Sequence, residues 1–278
     1  MESRAGRWVI KGIAAFVMLF LFLPLAIVVL YAFNRSVDNS WPPDLWTLEW
    51  FGTAFHDEMI GQALVNSLLA GLGATAIALV LGSLAAFAVH RFAFFGRTTV
   101  SFVLVLPIAL PGIVTALALR SAIEFGQSTV GLQYSLVTII IGHATFCVVV
   151  VFNNVVARLR RTSSSLNEAS MDLGADGWQT FRYITFPSMR TALIAGGLLA
   201  FGLSFDEIVV TLFTSGTEIT LPIWIFAKMQ RPTEQPVVYV VATVDMLASL
   251  IPVYFAQRLA GAADITSGRG ATEEPGPG

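Results

Sequence analysis

Six stretches of this sequence, at roughly 9–33, 62–89, 99–120, 133–156, 190–213 and 236–256, are apolar over lengths that cross about 30 Å of hydrocarbon at about 1.5 Å of rise per residue. In lipid a chain must satisfy its backbone amides internally, and single runs of this length do so only as α-helix. Composition agrees: 55% of residues are hydrophobic, only 12% are charged and the mean hydropathy is +0.74, whereas a soluble domain carries about 25% charge. The predicted class is all-α, a polytopic membrane protein with six transmembrane helices. The first run exceeds the roughly 7–15 residues of a signal-peptide core, so it is expected to remain as an anchor.

Basic residues in short loops are retained in the cytoplasm. With the N-terminus inside, twelve of the sixteen lysines and arginines fall on the cytoplasmic face: Arg4, Arg7, Lys11, Arg91, Arg97, Arg158, Arg160, Arg161, Arg182, Arg190, Arg258 and Arg269. Arg35, Arg120, Lys228 and Arg231 fall outside, as does an acidic loop with Asp38, Asp44, Glu49, Asp57 and Glu58. Both termini are therefore expected in the cytoplasm. The basic residues are accounted for by this topology, so no nucleic-acid partner is expected. A single cysteine, Cys147, excludes an intramolecular disulfide. After Ala260 the chain turns rich in Gly, Pro and acid, which reads as a disordered tail.

Small residues repeat every fourth position at Ala70, Ala74, Ala78, Gly82 and Ala86, and again at Ala192, Gly196, Ala200 and Ser204. Lipid offers no hydrophobic drive between helices, so such faces are expected to pack on other helices through close backbone approach. In the third span Pro107 and Pro111 remove backbone donors and predict a bend, which either lines a pathway or merely fits the bundle. Asp206, Glu207 and Asp245 lie inside spans, where a carboxylate costs about 2.5–3.5 kcal/mol on insertion scales. Facing one cavity they would suit a cationic solute; alternatively they pair with Arg120, Lys228 or a partner subunit. His143 and Cys147 share a helical face, but two ligands fall short of a metal site, and no metal or cofactor is expected. Asn153 and Asn154 suit hydrogen bonds between helices. The chain has no GxxxxGK[ST], GxSxG or HExxH pattern, hence no machinery of its own for hydrolysing ATP, esters or peptides.

The polar stretch Ser165–Pro187 stands between two apolar spans. Ser165 with Glu168 reads as a capping box opening a short helix. Gly174 stops that helix, and Asp176 caps a second run through Trp178, Phe181 and Tyr183. Glu168, Ala169 and Gly174, followed after nine residues by Ile184 and Pro187, resemble the EAA loop of ABC importer permeases, with Ser170 where alanine is usual and Phe186 where leucine is usual. SFDEIVVTLFTSG from Ser204 and TLPIWIF from Thr220 are similar to the spermidine/putrescine permease branch of that family.

The resemblance implies a non-enzymatic transport subunit of a bacterial inner membrane. Its implied partners are a second homologous permease, a dimer of ATPase subunits, an external solute-binding protein and membrane lipid. It further implies that Glu168, Ala169, Ser170, Asp172, Gly174, Ile184 and Pro187 couple to the ATPase, and that residues 61–258 form a type I transmembrane domain between an N-terminal helix with an external loop (1–60) and the tail (259–278). Polyamines are the implied cargo; related branches carry iron, sugars, opines or amino acids. An ATP-independent carrier or channel is the rival class, in which the buried acids would bind protons or sodium.

Overall fold

The structure, a computed structural model, describes residues 4–37, 39, 41–43 and 46–268. Asp38 and Asp44 of the acidic loop, and Arg269 with the rest of the tail, lie outside the described residues. Twelve α-helices and no named strand occur among the described residues. The chain divides into two units, residues 1–62 with 224–247 and residues 63–223 with 248–278.

In the first unit, α1 (Arg4–Ala32) keeps its apolar side chains exposed from Trp8 to Leu25, as expected of a helix solvated by lipid. Its end is tied down: Thr47 N–H donates to Phe33 O at 2.9 Å, Trp50 Nε1 donates to Asn34 O at 2.9 Å, and the Tyr31 and Tyr239 rings lie 5.5 Å apart. The short helix α2 (Glu49–His56) follows. Lys228, at the end of α11 (Leu221–Lys228), and Arg231 both pair with Glu234.

In the second unit, the small face of α3 (Glu58–Arg91) is buried at Ala70, Ala74, Ala78, Gly82 and Ala86. The expected third span is instead two helices, α4 (Arg97–Ala109) and α5 (Gly112–Val130), bent by 106° from a straight continuation. Proline disfavours helical geometry in the residue before it, and Leu110 is extended (φ −81°, ψ 149°) ahead of Pro111. The fourth span is α6 (Leu136–Arg160), opened by a capping box between Ser135 and Thr138.

The polar loop begins with α7 (Ser164–Asp172) and α8 (Gly177–Thr180). The expected capping box at Ser165 is displaced: the N-cap is Ser163, whose hydroxyl accepts from Ser165 N–H at 3.3 Å, because the chain is already helical at Ser164. α8 runs without interruption through a π-helical segment, Phe181–Thr185, into α9 (Phe186–Phe205). Pro187 has no N–H for the carbonyl four residues back and its ring crowds that turn, which accounts for the widening there.

The expected fifth span, 190–213, is also corrected. Its helix begins at Gly177, ends at Phe205, and resumes only as α10 (Val209–Thr214). α6 packs along α9, and α10 packs against α5 and α6. The sixth span lies in α12 (Gln235–Gly268), which continues past Ala260. By length and composition, five helices suffice to cross a membrane, or six if the bent pair counts as one.

Candidate functional site

Two places gather the residues singled out by sequence. The first is the loop. Ser170 N–Cα–C–O provides the anchor of a Schellman turn: its carbonyl accepts Ala175 N–H at 3.1 Å, while Met171 O accepts Gly174 N–H at 2.9 Å. Gly174 takes φ +86°, a conformation that only glycine adopts without steric cost. Asp176 caps the next run, accepting Gln179 N–H at 2.7 Å while Gln179 Oε1 accepts Asp176 N–H at 2.9 Å. Ser170 is buried, its hydroxyl 3.1 Å from that of Thr180, and Thr185 Oγ1 donates to Asn167 Oδ1 at 3.3 Å. Arg158 Nε fastens the base of α9 through Ser188 O at 2.9 Å.

The loop is therefore held from within, leaving Glu168, Ala169, Asp172 and Gly174 exposed, with Ile184 half-buried and Pro187 exposed. Leu173 and Trp178 also face outward, at 90% and 69% exposure, an apolar pair on a polar loop. A cavity of about 560 Å³ is lined by Phe87, His90, Asn167, Thr180 and Phe181 among others.

The second place is the gap between α9 and α10. Asp206 is exposed and its Oδ1 accepts from Ser249 Oγ at 2.9 Å. Glu207 is half-buried and its Oε1 accepts Val210 N–H at 3.0 Å, so this carboxylate caps α10. Of the basic residues weighed as their partners, Arg120 pairs with Glu124 at 2.9 Å and Lys228 pairs with Glu234. Asp245 is half-buried on α12 in the first unit. Pro107 is half-buried within α4, and Pro111 is exposed at the start of α5.

Sequence reading missed the role of His143. The ring is 1% exposed, with Nδ1 2.7 Å from Ser204 Oγ and Nε2 2.8 Å from Thr211 Oγ1. Thr211 Oγ1 in turn donates to Glu207 O at 2.7 Å. Cys147, the other half of the sequence pair, turns instead to Ala200 O at 3.3 Å. The available signal was an ionisable side chain inside an apolar span, which needs a polar partner; Ser204 and Thr211, seven residues apart, were the candidates.

A family model described as "Binding-protein-dependent transport system inner membrane component" matches residues 78–262. The putrescine transport system permease protein PotI of Escherichia coli is 34% identical over 216 residues, 76% of each chain. The spermidine/putrescine transport system permease protein PotC of Haemophilus influenzae is 30% identical over 255 residues, covering 91% of this chain and 96% of that one. Among solved structures, a chain of a bacterial alginate ABC transporter in complex with an alginate pentasaccharide-bound periplasmic protein matches with a TM-score of 0.69 at 17% identity, over 91% of this chain and 94% of that one.

Proposed function

This chain belongs to the family of binding-protein-dependent transport system inner membrane components, and from that premise we propose that it carries polyamines inward as one of two permeases in an ATP-driven importer. The observation that carries the cargo is the 30–34% identity, over 76–91% of this chain, with permeases named for putrescine and spermidine. The fold alone does not select it, because a neighbour of the same architecture comes from a transporter of alginate. A polyamine presents several ammonium groups, and a carboxylate such as Asp206 replaces their water with charge-assisted hydrogen bonds. Glu207 and Asp245, with Pro107 in α4 and Pro111 at the bend, complete the residues assigned to the pathway.

On the same reading, the loop carrying Glu168, Ala169, Ser170, Asp172, Gly174, Ile184 and Pro187 meets a partner ATPase dimer in the cytoplasm. Ser170 acts from inside the loop, by holding its shape. An external binding protein delivers the solute to the opposite side, and both chain termini lie with the ATPase. The distribution of lysine and arginine supports that orientation.

The test is uptake of labelled spermidine and putrescine by cells lacking this gene, with and without a plasmid copy, competed by unlabelled sugars and amino acids. Restored uptake that only polyamines compete is the expected result. Equal uptake in both strains would overturn the cargo assignment and leave the family assignment untouched.

A further inference from the structure

The interruption between α9 and α10 is bridged from a third helix. His143, on α6, meets Ser204 on one side of the gap and Thr211 on the other, at 2.7 and 2.8 Å, with both ring nitrogens engaged. Proton accounting orders the group. The Thr211 hydroxyl has one hydrogen, which goes to Glu207 O, so its oxygen accepts from Nε2–H and leaves Nδ1 to accept the Ser204 hydroxyl. A neutral imidazole in the Nε2–H form satisfies every group in the chain Ser204–His143–Thr211–Glu207. The close approach is permitted by Gly142: a Cβ there would sit 3.0 Å from Val210 Cγ1 and 3.1 Å from Thr214 Cγ2.

The consequence is geometric. Residues 206–208 hang between two flanks fixed to one rigid ring, while Asp206 itself stays exposed and meets Ser249. A break held this way has a defined span, and the carboxylate it presents has a defined position. Hydrogen bonds between such desolvated partners have no water to exchange with, so the arrangement resists opening.

We infer that His143 is a positioning residue, the strut that fixes the gap between α9 and α10 and so places the Asp206 carboxylate for a cationic solute. The second half of this inference rests on the reading of Asp206 as a cargo contact; the first half does not. Touching neither solute nor solvent, His143 acts through the segment it spans.

Two measurements on the assembled transporter separate these halves. Spin labels on cysteines replacing Leu203 and Leu212, both exposed, report the spacing across the gap without any cargo. His143→Leu is expected to broaden that spacing, and His143→Gln, which keeps a donor and an acceptor, to recover most of it. Unchanged spacing in His143→Leu would overturn the strut. In uptake of labelled putrescine, His143→Leu is expected to raise KM about tenfold, the worth of one displaced charged contact, with the maximal rate altered less than about twofold. Combined with Asp206→Asn it should add little, because both changes act at one carboxylate. A loss confined to maximal rate, or full additivity in the double variant, would show a merely structural histidine. If Asp206→Asn alone leaves KM unchanged, the cargo contact fails, and the spacing measurement still decides on the strut.

Discussion

The gap at Leu110–Pro111 and the gap at Asp206–Ile208 interrupt apolar segments of the same unit by different means. At the first, Pro111 disfavours helical geometry in Leu110, and the two helices are bent by 106° with exposed residues on both sides of the break. At the second there is no proline and no glycine from Ser204 to Ser215. That break exists because side chains replace the missing backbone bonds: Glu207 caps α10, Thr211 takes the Glu207 carbonyl, and His143 joins the flanks. A covalent break is local and survives changes in its surroundings, whereas a break made of hydrogen bonds depends on a neighbouring helix.

The largest effect expected from this contrast follows Gly142→Val. Added carbons would meet Val210 and Thr214 where even a Cβ is tight, forcing α10 away from α6 at a cost of about 2–3 kcal/mol; thermal unfolding in detergent would register the loss. Glu207→Ala should cost about 1 kcal/mol through the uncapped Val210 N–H, while Glu207→Gln, which keeps an acceptor oxygen, should stay near the parent in the same assay. Pro111→Ala should cost less than about 1 kcal/mol yet let the bent pair straighten, lengthening the distance between labels at Val100 and Phe125 by on the order of 10 Å. An unaltered distance would mean that packing holds that bend as well, and the contrast would collapse. Smallest in stability is Asp206→Asn, within about 0.5 kcal/mol, since the amide oxygen still accepts from Ser249.

The same contrast marks what could be read from sequence. Pro107 and Pro111 predict a bend from covalent structure alone, and Gly174 a helix stop from its backbone freedom. The small faces of α3 and α9 identify packing surfaces because period and residue size are both visible along the chain. The break at 206–208 was hidden: Asp206 and Glu207 were legible as costly acids, but the use of Glu207 as a cap and of His143 as a bridge depends on α6 lying alongside. The N-cap moved from Ser165 to Ser163 because three serines in a row each suit the position, and only the path of the chain leaving α6 decides among them. Pairing of Arg120 with Glu124 needs only the i, i+4 spacing within α5, a spacing that a third span ending near Arg120 does not contain.

The π-helical turn at Phe181–Thr185 carries one more consequence. From Gly177 to Phe205 the chain is a single helical rod of 29 residues, about 43 Å long. A turn widened by one residue offsets the faces on its two sides by about 100° relative to an unbroken α-helix. The rod thus has a built-in phase: the azimuth that buries Thr180 beside Ser170 at one end is set against the azimuth that points Ser204 at His143 at the other. Removing one residue from this turn would swing Ser204 out of register with His143 while leaving the composition of both ends intact, so the angular relation between α7 and the gap is encoded in five residues at the far end of the loop.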